Sequence, residues 1–389
     1  MPNSIPYAKQ TFDTEDIQSV TQALNDPIIT RGDKVEAFEN EIAKYCGAKY
    51  AVAFNSGSTA LAAVYHAANT GIHDRIISTP NTFVATVAPA LARGASPLFI
   101  DLDPTTGNLD IDSLFENMPP EPSRGKNIIS PVHYSGIAVD MQRIDQCITQ
   151  ENTVIIEDAA HAIGSSYKSG EKVGSCTYSD MTIFSFHPAK TITTGEGGLV
   201  TTNRSDFFHK LQLYRNNGMV RDAKLLQREA NPWYYEVQEI GGNFNFTDFQ
   251  AALGSSQLKK LSNFVEKRKE LVSLYRKQIS PMEHVTMSLE SYDDSTAYHL
   301  CVLQIDFTAY KKTRKQVMEA LKAKNIGTQV HYIPVYHHPF FQEKYGDLSQ
   351  HFPHTEKFYA QALSIPLFPT LRKDQVQYIT QTLKNVLTQ

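Results

Sequence analysis

From Tyr50 to Asp158 the chain alternates short, wholly apolar runs with helical ones, and that alternation narrows the folds open to it. YAVAF, RIIS, PLFID, NIISPVHY and TVIIED read as strands, while SGSTALAAVYHAAN, TFVATVAPALA and MQRIDQCI read as helices. A strand with one wet face would alternate polar and apolar residues. These are apolar throughout, so both of their faces are covered, as in a parallel sheet joined by right-handed crossovers. The expected fold class is α/β. Upstream, Asp13 is placed to cap a helix through Leu24, and a second helix is expected from Lys34 to Tyr45. Near Phe244 the order changes. TDFQAALGSSQLKKL and the charged run from Phe264 to Lys277 read as two helices. A smaller α+β unit should follow: strand AYHLCVLQID, helix TRKQVMEALKAKN, strand TQVHYIP, and helices near His354 and from Lys373 to Leu387. The expected division is therefore a large domain over residues 1–260, then a linker helix and small domain over 261–389. Residues 219–243 show no period and read as an irregular functional loop or a subunit contact.

At 389 residues, two domains are the expectation. A formal charge of −4 gives no electrostatic footprint for nucleic acid or an anionic membrane. Cys46, Cys147, Cys176 and Cys301 are scattered, with neither disulfide nor zinc spacing, so no metal is expected and a reducing compartment is. No apolar run approaches a membrane span and the first residues lack a signal-like core, which makes cytoplasmic the default.

The chemistry centres on MTIFSFHPAKTITTGEGGLVTT, residues 181–202. Two strands flank a connection of small and hydroxylic residues that carries Lys190. Held between buried strands, a lysine loses solvation, its pKa falls, and the neutral amine can attack a carbonyl. The plain alternative is a solvated lysine in a hairpin turn. NSGSTAL follows a strand and opens a helix, so Ser56, Gly57 and Ser58 supply a close backbone, unpaired N–H donors and hydroxyls, as a phosphate cradle would. An ordinary serine N-cap explains the same residues. In IIEDAAHAIG, Glu157 and Asp158 end a buried strand, the edge of a parallel sheet at which ligands bind. Asp158 would pair with a cationic ring nitrogen or merely cap a turn, and His161 would touch a ligand ring or be a satisfied structural histidine. Phe83 would stack on a flat ligand or pack in the core. His331 and Tyr332 would reach a ligand between domains or close a strand end. Together a phosphate cradle, a strand-end carboxylate, a stacking aromatic and a semi-buried lysine suit one cofactor, pyridoxal 5′-phosphate, with Ser185 joining the phosphate group.

The stretches ITRGDKVEAFE, NSGSTAL, TFVAT, EDAAHAIG, SFHPAKTITTGEGG, YRNNG, GGNFNFTDFQAALG and IGTQVHYIPVY resemble the DegT/DnrJ/EryC1/StrS sugar aminotransferases. The resemblance spans residues 28–336 and implies a fold-type-I pyridoxal phosphate enzyme with a seven-stranded-type, mostly parallel sheet. It makes Lys190 the Schiff-base lysine, pairs Asp158 with the pyridine nitrogen, places His161 near the phenolic oxygen and stacks Phe83 on the ring. It gives the phosphate to Gly57, Ser58 and Ser185, and to Asn243 from a neighbouring subunit, so a homodimer with shared active sites is implied. Thr30, Arg31, Gly32, His187, His331 and Tyr332 would border the sugar nucleotide. The implied reaction moves an amino group from L-glutamate to C4 of a UDP-linked 4-keto-6-deoxy sugar, with pyridoxamine phosphate as intermediate. The pseudaminic acid precursor is the expected sugar; another UDP- or dTDP-4-keto sugar, or a non-catalytic pyridoxal phosphate-binding regulator, is the alternative. Three positions depart from the family pattern: His161 stands where Gln is common, Asn217 where His is, and Asn245 where Arg is.

Overall fold

The computed structural model describes residues 4–118, 124–148, 152–229, 231–288 and 293–389. Helices α1 (Thr14–Leu24) and α2 (Asp33–Cys46) lead into strand β1 (Tyr50–Phe54). Then come α3 (Gly57–Ala67), β2 (Arg75–Ser78), α4 (Ala88–Ala92), β3 (Ser96–Phe99), α5 (Ile111–Glu116), β4 (Asn127–Ile129) and α6 (Met141–Cys147). They are followed by β5 (Thr153–Asp158), β6 (Met181–Ser185), β7 (Gly198–Thr202) and α7 (Ser205–Arg215). These seven strands form one sheet in the order β1-β7-β6-β5-β4-β2-β3. Only β7 runs against the rest, pairing antiparallel with both β6 and β1. The expected mostly parallel sheet is present.

Alternation along the strands sends neighbours to opposite faces. In β1, Ala51 and Ala53 join the core under α2, which receives Val35, Phe38 and Ile42. Val52 and Phe54 join the core under α3 and α7, with Val64, Tyr65, Phe207 and Leu211. Of the sheet strands only β3, at one edge, is partly exposed; the rest are buried on both sides, the reason their sequences carry no polar alternation.

Beyond β8 (Met219–Val220) and β9 (Glu236–Val237), a two-stranded ribbon, the chain forms α8 (Asp248–Ile279). Where two helices were expected there is a single one of 32 residues. Gly254, inside the helix, serves packing: a Cβ on it would lie 2.7 Å from the Phe38 ring. The first half of α8 gives Leu261 and Phe264 to the main core, and the second half gives Leu271, Val272 and Tyr275 to another. The expected division at residue 260 thus falls inside a helix that serves both cores. The second core lies under an antiparallel sheet of β10 (Val285–Met287), β11 (Cys301–Ile305) and β12 (Ala362–Ile365). It also receives α9 (Arg314–Ala323) and α12 (Lys373–Thr388), while α10 (Pro339–Tyr345) and α11 (Pro353–Gln361) lie between β11 and β12 in sequence. TQVHYIP is not a strand. It makes one bridge, Gln329 with Ser364, and then side chains take over its polar groups: Val330 N donates to Gln329 Oε1 and Tyr332 N to Asn81 Oδ1.

The start of β7 and the start of α3 meet backbone to backbone. A Cβ on Gly198 would lie 2.2 Å from Ser56 O and 2.6 Å from Gly57 N, and neither atom can yield without moving the helix. Gly198→Ala is therefore expected to destabilise the fold by about 1–3 kcal/mol in denaturant unfolding, and an unchanged midpoint would show that α3 is free to shift.

Candidate active site

Strand parity decides which side chains meet. On β5, Ile155 packs into the α2 face and Ile156 into the α3 face. Asp158 follows Ile156, while Glu157 follows Ile155 to the other side. Strand β6 pairs in parallel with β5, Asp158 opposite Ile183, so Ser185 also ends on the α3 face. There α3 begins. Ser56 is its N-cap: Oγ accepts from Thr59 N at 3.1 Å and Ser56 N donates to Thr59 Oγ1 at 3.1 Å. The serine cap is real, and it leaves the first N–H groups of the helix, on Gly57 and Ser58, without intrahelical partners at the positive end of the helix dipole. A Cβ on Gly57 would sit 3.0 Å from Ser185 Cβ, so glycine keeps open the space between helix start and strand end.

Ser56, Gly57, Ser58, Ser185, Asp158 and Lys190 all line one cleft of about 340 Å³. Lys190 occupies the β6–β7 connection, its N–H donating to His187 O at 2.8 Å. Burial lowers its amine to about 8, against the pull of the Asp158 carboxylate, which favours the ammonium. Asp158 is 4% exposed. Its Oδ2 accepts from Thr86 Oγ1 at 2.6 Å and its Oδ1 from Ala160 N at 3.1 Å. Each oxygen keeps a further lone pair for a donor in the cleft. Thr86 is held in turn by Thr82 Oγ1 at 2.6 Å.

The other wall is aromatic and uncharged. Phe83 opens a short helical turn and remains 56% exposed, its ring 6.1 Å from that of Tyr332. A phenyl so exposed within a cleft is available to a flat ligand. His161 is buried. Its Nδ1 accepts from Ser135 N at 3.3 Å, so the ring proton belongs on Nε2, which lies 2.9 Å from Tyr332 Oη. Burial and then Lys190 push its pKa well below the ordinary value. His331, whose Nδ1 lies 2.8 Å from Ser364 Oγ, is pushed down to about 3 by the same two causes. Burial, then the Asp158 charge, raises the Tyr332 phenol. These rings are hydrogen-bonding groups, not ions, at neutral pH. His187 lines the cleft as well.

Four expected residues lie elsewhere. Thr30 and Gly32 are pinned to the start of α8, Thr30 O accepting from Asp248 N and Gly32 N donating to Asp248 Oδ1, both at 2.8 Å. Arg31 lines a separate depression beside Glu39 and Arg215. Asn243 is exposed, bridged to Asn216, with its Oδ1 accepting from Asn245 Nδ2 at 2.9 Å. Asn245 thus orients the Asn243 amide. Asn217 adopts φ +56, a left-handed conformation that asparagine tolerates. Conversely, Tyr7, Thr82 and His299 line the cleft without having been singled out, and Thr86 holds Asp158 unannounced. Thr86 belongs to the TFVAT stretch already noted for Phe83, but nothing local linked it to a carboxylate 72 residues away.

These groups fit pyridoxal 5′-phosphate: an open cradle at a helix N-terminus, a carboxylate with lone pairs to spare, a bare phenyl, and an amine whose proton leaves near neutrality. The comparisons agree. Residues 10–384 match the model of the DegT/DnrJ/EryC1/StrS aminotransferase family. The chain is 36% identical over 98% of its length to the UDP-4-amino-4,6-dideoxy-N-acetyl-beta-L-altrosamine transaminase of Campylobacter jejuni, covering 97% of that protein. It is 35% identical over 98% of its length to the spore coat polysaccharide biosynthesis protein SpsC of Bacillus subtilis, again covering 97%. The solved structure of Helicobacter pylori PseC, an aminotransferase of pseudaminic acid biosynthesis, superposes with a TM-score of 0.90 at 30% identity, covering 99% of both chains. The protein belongs to the DegT/DnrJ/EryC1/StrS family of pyridoxal phosphate-dependent aminotransferases.

Proposed function

We propose that this aminotransferase moves the amino group of L-glutamate to C4 of a UDP-linked 4-keto-6-deoxy sugar; the Campylobacter relative is named as the transaminase of a UDP-4-amino-4,6-dideoxy sugar. The observation that carries the chemistry is the placement of Lys190 and Asp158 in one cleft, with the charge of one acting on the other. When bound, pyridoxal 5′-phosphate supplies an aldehyde for imine exchange and a ring that withdraws electrons from the carbon losing a proton. Lys190 Nζ holds the cofactor at rest and, once released, takes and returns that proton. Asp158 accepts from the ring N–H, Phe83 stacks on the ring, and His161 Nε2–H donates to the phenolic oxygen. Ser56, Gly57, Ser58 and Ser185 receive the phosphate. The uncharged wall of His331 and Tyr332, with His187 at its rim, suits the hydroxyl-rich sugar. A solvated lysine would hold its proton far above neutrality; Lys190, with its amine at about 8, gives it up much more readily.

The residues outside the cleft belong to the reading as contributions to a second copy's site: Asn243 to the phosphate, Thr30, Arg31 and Gly32 to the sugar nucleotide. The segment around β9 supports a homodimer, since Trp233 is 79% and Ile240 82% exposed there, more than a free surface favours. No described helix is long and apolar enough to cross a membrane, and cytoplasmic residence is part of the proposal.

Lys190→Ala is expected to keep the fold and lower kcat by about 10²–10⁴-fold, with loss of the imine absorbance band. Turnover at the wild-type rate would end the reading. Imine formation between the apoprotein and pyridoxal phosphate should quicken as pH rises through about 8 and then level off, because the amine attacks only after losing its proton. Asp158→Asn should move that midpoint to lower pH, the carboxylate being the group that retains the proton. A wild-type midpoint at the ordinary lysine value of 10.5 would mean a solvated amine. Incubation with glutamate and a panel of UDP- and dTDP-4-keto sugars, with products identified by mass, tests the acceptor; a preference for dTDP sugars would overturn the nucleotide assignment.

A further inference from the structure

Next to Asp158, on the opposite face of β5, Glu157 is wholly buried yet, among the described residues, meets no guanidinium or ammonium group. His133 Nδ1 accepts from Val139 N at 3.0 Å, so the ring carries its proton on Nε2, which donates to Glu157 Oε2 at 2.7 Å. Tyr167 Oη donates to the same oxygen at 2.6 Å, while Thr182 Oγ1, at 2.9 Å, and Ser179 Oγ donate to Oε1. Burial alone would raise the carboxyl, and the hydrogen bonds it accepts, that from His133 first and then those from Ser179 and Tyr167, bring it below the ordinary range. An anion so enclosed is costly to keep, and an apolar residue of similar size would fill the space at less cost. Its position suggests what it holds.

His133 opens a turn that serves the cleft on every side. His133 N donates to Asp158 O at 3.0 Å, and Asp158 N to Pro131 O at 2.9 Å. Tyr134 Oη donates to His331 O at 2.6 Å. Ser135, at φ +60, spends all three polar atoms there: its N–H on His161 Nδ1, its carbonyl on His299 N at 2.8 Å, its Oγ on Leu300 O at 2.9 Å. A serine keeps that left-handed backbone only where its surroundings impose it. The Ser135 N–H is what reserves the His161 proton for Nε2, the nitrogen facing Tyr332 and the cleft.

We propose that Glu157 is a positioning residue: through His133 it fixes the turn at residues 131–139, and through Ser135 that turn holds His161 in its Nε2–H form. The consequence for turnover rests on the proposed role of His161 toward the cofactor's phenolic oxygen; the proton's location on the ring does not. Long-range nitrogen–proton NMR on [15N]histidine-labelled holoenzyme reads that location, with His161→Gln identifying the resonance. The wild type should show one form, protonated on Nε2. Glu157→Gln should show a mixture of both and a kcat lower by about tenfold, the scale of one buried hydrogen bond. In a His161→Gln background Glu157→Gln should lower kcat no further. If Glu157→Gln fails to fold, His133→Asn replaces it: Asn Oδ1 can still accept from Val139 N, but its amide falls short of Glu157, and the same mixture is expected. A single Nε2–H form in the folded variant, or an equal fall in kcat in both backgrounds, would overturn the proposal. An enzyme inactive on every sugar yet showing the mixed histidine would sink the proposed reaction and leave the positioning role standing.

Discussion

The attraction between the Asp158 carboxylate and the Lys190 amine, across a cleft that strips both of water, is the interaction on which the remainder of the site depends. Either charge alone would be expensive there. Together they set a balance: burial drives the proton off the lysine, and the carboxylate holds it back, leaving the amine near 8. Such a group is a usable nucleophile and proton carrier in neutral solution. Moving the carboxylate farther away would leave a more weakly protonated amine.

The sheet supplies that proximity with little local strain. Parallel pairing of β5 with β6 brings the end of one beside the end of the other, and period-two alternation turns Asp158 and Ser185 to the same face. The antiparallel return of β7 then carries the chain back past Lys190 toward the start of α3, where Gly198 lets two backbones touch. A one-residue slip of β5 would exchange Asp158 for Glu157 and send the working carboxylate into the α2 core. The four donors around Glu157 oppose that slip as well as holding the neighbouring turn.

The smaller unit adds rings without charge. His299 and Leu300 just ahead of β11, together with His331 and Tyr332, reach the cleft or its supporting turn, and the long helix α8 keeps them in place. Arg268, buried in that helix, donates to the carbonyls of Tyr298, His299 and Leu367. Neutral imidazoles and a raised phenol give hydrogen bonds of fixed direction without adding charge to the cleft. That combination suits a family working on hydroxyl-rich sugars.

Much of this was legible in the residues. Uninterrupted apolar runs separated by helical ones require a two-sided parallel sheet, since only there can such strands shed water from both faces, and Lys190, Asp158 and the NSGSTAL turn stood out by residue type at a strand edge. What local pattern could not contain was anything joining distant segments. Thr86 bonding Asp158, Ser135 fixing the His161 proton, and Glu157 being satisfied on the far face are contacts across tens of residues, with no signature in sequence spacing. The unbroken α8 was hidden for the same reason, since what holds its Gly254 in a helix is the distant Phe38 ring packed against it. Sequence alone determined the fold class and the kinds of chemical group available, because periodicity and residue type are local properties; the tertiary structure decided which groups meet, which face each carboxylate takes and how far the lysine's proton is loosened, because desolvation and hydrogen bonding depend on what is brought near.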